Sequence, residues 1–233
     1  MFNPSNEITL NDTNHKYILK GFEHIKFKSV TTVISEYFEE FDKVKVATNL
    51  KQNSPKYRHF TIEEIIDAWD KSAQFGTDVH RELEDYINHN KKPFIGRSKI
   101  AIKWLNNYLK KSDFDLYSEI IVYCKKLKIA GTVDLLIHDK INNIYSLIDW
   151  KTSKKIDTMG YRNKTGNKPE TEDLLDTNFN HYSLQLSLYR YLLEKNYSIK
   201  IKDQIIVHIT DDSVHSYLTD NLNAHILSIL KHY

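Results

Sequence analysis

"AGTVDLLIHDKINNIYSLIDWKTSK", residues 130–154, decides how this chain is read. Its apolar runs "KIAGTVDLLIH" (128–138) and "IYSLIDWKT" (144–152) are strand-like, and the polar "DKINN" between them is a turn, so the two form a hairpin. Both runs carry charge where a buried strand should have none. Asp134 sits in the first, and Asp149 and Lys151 in the second. An unpaired buried charge costs several kcal/mol. Either these groups compensate one another, or something binds between them.

Outward from the hairpin, "LYSEIIVYC" (116–124) adds a third consecutive strand. The preceding stretch from 45 to 112 is helical in character. "TIEEIIDAWDKSAQ" opens with a capping-box pair, Thr61 and Glu64. "GTDVHRELEDYINHN" follows from Gly76, and "RSKIAIKWLNNYLKK" has apolar residues at helical spacing. Residues 7–35 read as short strands and turns ending in the β-branched "SVTTVIS". After a polar loop at 153–180 come the amphipathic helix "YSLQLSLYRYLLEKN", the strand "DQIIVHIT" and a closing helix "NLNAHILSILKHY". Helices before and after a small mixed β-sheet make an α/β (α+β) sandwich. There is no internal repeat and no low-complexity linker, so 1–233 is expected to form one domain. In it, 1–112 is an amino-terminal strand-and-helix part and 113–233 is the core.

Composition narrows the chemistry. The chain is 40% hydrophobic and 27% charged, which is ordinary globular usage, and its 12% aromatic content argues against disorder. No apolar stretch approaches 20 residues and no basic-then-apolar start is present. A membrane span or secretory signal is therefore not expected, and the cytoplasm, of a bacterial or phage-infected cell, is the default. The single cysteine, Cys124, excludes an intrachain disulfide framework, a Cys-rich zinc site and an iron–sulfur cluster held by the chain's own thiolates. Any metal must be held by oxygen and imidazole. Net charge is only +2, but Lys and Arg gather at 91–111, 125–128 and 151–168. Those patches fit solvated faces as well as a polyanion partner.

Strand alternation puts Asp149 and Lys151 on one face, and the hairpin lets Asp134 face the same cleft. Two carboxylates there repel unless a cation joins them, and hard oxygen ligands suit one or two Mg²⁺ or Mn²⁺ ions. The same spacing also fits two surface acids at strand ends with a Lys–Asp contact. In "GTDVHRELEDYI", His80 and Glu84 are four apart on one helix face, as a metal-ligating or a core histidine would be. Gln185 and Tyr189 repeat that spacing on the later helix, as site-supporting groups or as one polar stripe. "GYRNKTGNK" at 160–168 fails the Walker pattern, because it has five residues between its glycines and no Ser or Thr after Lys168.

Four pieces in order, "GTDVH" (76–80), "GTVD" (131–134), "DWK" (149–151) and "QLSLY" (185–189), resemble the motifs of the PD-(D/E)XK nuclease superfamily, in its RecB-type branch. They span about 110 residues, roughly half the chain. The opening "HKY…SVTTVIS" is similar to stand-alone phage and mitochondrial genome maintenance exonucleases. This resemblance implies a restriction-endonuclease-like core and metal-dependent hydrolysis of DNA. An exonuclease acting on single strands or ends in replication, recombination or repair fits best. A structure-specific endonuclease, or a silent nucleic-acid-binding module of the same fold, is the alternative, and other recombination or replication proteins are possible partners.

By position, the resemblance makes Asp134, Asp149 and His80 metal ligands, with the Trp150 carbonyl as a fourth and Glu119 as a lesser one through water. Lys151 becomes the catalytic lysine, while Gln185 and Tyr189 support the site and grip nucleic acid. Ser29, Thr31 and Thr32 would contact phosphates. Thr152, Ser153, Lys154, Tyr161 and Arg162 belong to a basic loop covering the strand. Tyr161, Tyr182 and Phe179 offer stacking surfaces. Lys and Arg of 91–111 would wall a groove. Asp149 stands where many members of the superfamily have Glu.

Overall fold

The computed structural model describes residues 7–11, 13–160 and 163–233. Tyr161 and Arg162 lie outside the described residues. The elements are β1 (Ile8–Asn11), β2 (Lys16–Leu19), β3 (Lys28–Ser29), α1 (Val30–Ser35), α2 (Lys43–Asn53), α3 (Ile62–His89), α4 (Gly96–Leu109), β4 (Phe114–Cys124), β5 (Ile129–Asp139), β6 (Ile144–Lys151), α5 (Asn178–Asn196), β7 (Ile201–Ile209), β8 (Val214–Leu218) and α6 (Asn223–Ile229). Strands β3 to β8 form one mixed sheet, while β1 and β2 make a separate hairpin.

The β4–β5–β6 meander is antiparallel, and β7 then pairs with β6 in parallel before β8 turns back on it. Helices cover both faces. On one side α1, α5 and α6 bury Val33, Ile34, Leu184, Leu188, Leu192, Ile226 and Ile229 against Leu147, Ile201 and Ile206. On the other, Val79 and Leu83 of α3 and Ala101, Ile102 and Leu105 of α4 pack on Leu135, Ile137, Ile148, Trp150, Val207 and Ile209. This α+β sandwich follows from near-continuous apolar strands, which need cover on both faces.

Three local readings change. "VTTVIS" is helical, not strand. Ser29 caps it through Thr32 N–H at 3.0 Å, and Val30, Val33 and Ile34 bury one face, so position in the core overrides β-branched propensity. The segments 61–74 and 76–90 are one 28-residue helix that runs through Gly76, with Thr61 and Glu64 forming the capping box. Finally, β8 was not expected. Its burial is largely that of an exposed edge strand, so it carries little alternation.

What matters for the site is where the hairpin opens. Strand β5 offers one edge to β4 along its whole length. Its other edge is shared, with β6 taking Leu135–Asp139 and β3 taking Ile129 and Ala130. The β5–β6 ladder ends at Leu135 opposite Ile148, and one step further the same register sets Asp134 opposite Asp149. The acids therefore stand at the splayed end of a hairpin, where backbone groups lose their strand partners. The Trp150 N–H is one such group, and the Asp134 carboxylate accepts from it at 2.8 Å.

Candidate metal centre

Each side chain here is delivered by a rigid element. Helix α3 carries His80. Its Nε2 lies 3.0 Å from the Trp150 carbonyl, which can only accept, so Nε2 bears a proton, and in the neutral ring Nδ1 is the nitrogen with the lone pair. That Nδ1 points at two carboxylates, 3.7 Å from Asp134 Oδ2 and 3.9 Å from Glu119 Oε1. One ligand atom from each of His80, Glu119 and Asp134 lies within 4.8 Å of the others. The Trp150 carbonyl, expected as a ligand, accepts from His80 and so orients the imidazole.

Glu119 is better placed than its low sequence rank implies. The β4–β5 register, intact at Ser118–Leu135 and Ile120–Val133, sets it opposite Asp134. Its backbone is left-handed, φ 50°, a conformation that costs a non-glycine residue about 1 kcal/mol or more. Burial pushes the Glu119 carboxyl up to about 9, and the Asp134, Glu84 and Asp149 charges push the same way against Lys151. A dication relieves such a cluster by neutralising it. One imidazole nitrogen with carboxylate oxygens is a donor set that Mn²⁺ or Mg²⁺ would accept, though the cluster names no ion by itself.

Asp149 stands beside this trio and is already engaged. Its Oδ1 accepts from Gln185 Nε2 at 3.1 Å, and its Oδ2 lies 2.6 Å from Lys151 Nζ. Asp149 is 3% exposed. Burial pushes its carboxyl up to about 6, Lys151 pulling it down and Asp134 pushing it up. For Lys151, burial opposes the charge, yet Asp149 and Asp134 together hold the ammonium above its ordinary value. The Tyr182 ring lies under that ammonium, 4.5 Å from Nζ to the centroid. Asp149, Lys151 and Gln185 thus form a charge-compensated unit next to the uncompensated trio.

Both motif glycines are explained by close approach. A Cβ on Gly76 would lie 2.8 Å from Thr152 Oγ1, so glycine lets α3 meet the end of β6 and brings His80 to Trp150. A Cβ on Gly131 would lie 2.6 Å from Tyr189 Cε1, 2.8 Å from its hydroxyl and 2.9 Å from Val30 Cγ2. Tyr189 is therefore packed beneath β5 at 5% exposure, supporting the strand that carries Asp134, and is too buried to grip a ligand.

A cavity of about 790 Å³ opens onto His80, Glu119 and Lys151, with Arg81, Thr152 and Tyr182 also in its lining; Asp134 lies behind it. Lys154 is exposed on the loop beyond. Ser29, Thr31 and Thr32 line a neighbouring cavity of about 460 Å³ that shares His15. Their hydroxyls bond one another at 2.7–2.9 Å around the start of α1, which Ser29 caps. Phe179 is partly buried, packing against the core and edge-on to Tyr217. Arg97, expected in a groove wall, is an internal tie. It donates to the Thr152 carbonyl at 2.8 Å, and the buried His208 Nε2 donates to the Ser153 carbonyl at 2.6 Å. Sequence gave no signal for either, because their partners are main-chain oxygens that any residue supplies.

No family model matches this chain, and no curated protein matches it. Among solved structures it is similar to the crystal structure of SSO0001, at 17% identity and a TM-score of 0.37, over 87% of this chain and 72% of that one. Among the described residues, no helix is long and apolar enough to cross a membrane.

Proposed function

We propose that the protein is a metal-dependent nuclease of the PD-(D/E)XK type, hydrolysing phosphodiester bonds of DNA in the cytoplasm, with single strands or ends as its preferred substrate. The observation that carries this reading is the convergence of His80, Glu119 and Asp134 on one point beside the Asp149–Lys151 pair. The order of the four sequence motifs supports it independently.

His80 Nδ1, Glu119 and Asp134 would hold Mg²⁺ or Mn²⁺, which when bound polarises a phosphate and acidifies a water. The protein's own groups account for the rest. The Trp150 carbonyl fixes the His80 tautomer, and the Trp150 N–H orients Asp134. Gln185 holds one oxygen of Asp149, leaving the other to locate the Lys151 ammonium at the cavity wall. There a cation can attract the phosphate and stabilise the negative charge that develops on it. Tyr182 lines the same wall and presents a ring to that side of the cavity.

The test is cleavage of end-labelled single- and double-stranded DNA with Mg²⁺, Mn²⁺ or EDTA, by the wild type and by Lys151→Ala. Wild-type cleavage should need the metal, and the variant should lose about 100-fold or more. Resistance of circular substrates would identify an exonuclease, and their cutting an endonuclease. Tight DNA binding with no cleavage in any metal would sink the catalytic reading in favour of a silent binding module.

A further inference from the structure

We propose that Arg97 and His208 are positioning residues for Lys151, acting through the two main-chain carbonyls that follow it. Its catalytic consequence rests on the nuclease reading, whereas its geometry does not.

Strand β6 ends at Lys151, paired in register with His208 of β7. Beyond it the chain leaves the sheet, and the carbonyls of Thr152 and Ser153 have no ladder to enter. Backbone acceptors in a partly buried segment need partners. Both partners here are cationic or ionisable side chains from other elements. Arg97 of α4 donates from Nη1 to the Thr152 carbonyl at 2.8 Å. His208, 5% exposed, donates to the Ser153 carbonyl at 2.6 Å.

Arg97 is itself held on two further sides. Its Nε and Nη2 donate to the Asp211 carboxylate just beyond β7, at 2.7 and 3.2 Å. Its guanidinium carbon lies 5.2 Å from the centre of the Phe75 ring, one residue before Gly76 on α3. A planar fork can serve the carbonyl and the carboxylate together, and a lysine ammonium cannot reproduce that geometry. One side chain thus joins α3, α4, the exit from β6 and the end of β7. Lys151 is fixed by the sheet on its amino side and by this clamp on its carboxyl side. Its ammonium meets Asp149 at 2.6 Å only if both hold. The clamp makes no contact with the His80, Glu119 and Asp134 side chains, so it should govern the lysine and not the metal.

Three variants test this. Arg97→Lys keeps the charge and loses the fork. Asp211→Asn weakens the anchor of Arg97 from a side chain that is 76% exposed, with little risk to folding. His208→Gln retains a donor and serves as the conservative rescue of His208→Leu. Competitive acylation of Lys151 Nζ, mapped by mass spectrometry against Lys202 as internal standard, reads the clamp without requiring activity. Acylation should rise several-fold in Arg97→Lys and His208→Leu, less in Asp211→Asn, and return towards wild type in His208→Gln. In Mn²⁺-dependent cleavage, kcat should fall by about 10- to 100-fold in Arg97→Lys with KM and Mn²⁺ affinity little changed. The Arg97→Lys/Asp211→Asn double variant should be no worse than Arg97→Lys alone, because both act through one group. Unchanged Lys151 acylation, or kcat losses that simply multiply, would overturn the proposal. If acylation responds as stated but the wild type cuts no DNA, the clamp stands and the nuclease reading fails.

Discussion

Replacing Gly76 with alanine adds one methyl group to the interior of a 28-residue helix, where alanine is ordinarily worth about 1 kcal/mol over glycine. Here the sign should invert. The new Cβ would lie 2.8 Å from Thr152 Oγ1, against at least 3.4 Å for ordinary contact, so several tenths of an ångström must be found. Thr152 is β-branched, with few rotamers to retreat into, and its carbonyl is tied to Arg97. Overpacking of this kind costs about 1–3 kcal/mol, which leaves a net loss of up to ~2 kcal/mol. For a chain of this length that is a fall of up to roughly 8 °C in melting temperature. Thr152→Ala removes the obstructing oxygen. On that background Gly76→Ala should be stabilising by about 1 kcal/mol, its ordinary helical value. His80 lies one turn further along α3, so Gly76→Ala should also weaken Mn²⁺ binding by calorimetry, and Thr152→Ala should restore it. Calorimetric melting of the four proteins completes the cycle. If Gly76→Ala stabilises both backgrounds alike, the glycine is not there for close approach, and this account of "GTDVH" is refuted.

Gly131→Ala meets three walls at once, two of them on Tyr189, and should cost about 3 kcal/mol. Tyr189→Phe should not rescue it, since Cε1 remains; a rescue would show that only the hydroxyl obstructs. Glu119→Gln should stabilise the protein in EDTA at pH 8 by about 3–5 kcal/mol. A carboxyl raised to about 9 drains stability as pH climbs from its unfolded value towards that point, and the amide does not. The advantage should shrink to under about 1 kcal/mol by pH 5 and vanish below pH 4, and equal melting at pH 8 would count against the buried-acid cluster. Saturating Mn²⁺ at about 100 times its dissociation constant should add ~2.7 kcal/mol to the wild type and much less to Glu119→Gln. An equal gain in both would place the ion elsewhere.

The elements most legible in the sequence are those whose period is enforced by two-sided burial. The hairpin at 128–152 and the helix around "QLSLY" are mostly apolar where they touch the core, so local pattern and tertiary demand agree. "VTTVIS" shows where propensity misleads. Its Val30, Val33 and Ile34 already had helical spacing behind a serine cap, yet β-branching spoke louder. The site was legible in its residue types and not in its grouping. The sequence pairs Asp134 with Asp149 by register, which is correct as adjacency. Which acid remains uncompensated depends on partners 36 residues away and on one left-handed backbone angle at Glu119. Neither leaves a mark in composition or spacing.

That division of labour has a physical logic. At the splayed end of β5 and β6, two aspartates in register cannot both remain charged in a dry environment without cations. The chain supplies one cation itself, Lys151, and places it against Asp149. Asp134 feels the same ammonium at longer range and accepts a hydrogen bond from a neutral donor, the Trp150 N–H, and it shares its space with Glu119 and an imidazole whose Nδ1 faces both. Had stability alone shaped this corner, a second lysine or an uncharged residue at 119 would have relieved the repulsion without a strained backbone. Instead three elements, α3, β4 and β5, each spend conformational freedom to bring ligand-type atoms together where they repel. Without a cation the repulsion is relieved by protonation, which is what the raised Glu119 carboxyl expresses; on the proposed function a bound dication would relieve it instead, and the neighbouring ammonium would be a second, fixed positive centre beside it. On that proposal, an anion with one oxygen for each centre, such as the phosphodiester proposed as substrate, is what the pair would bind.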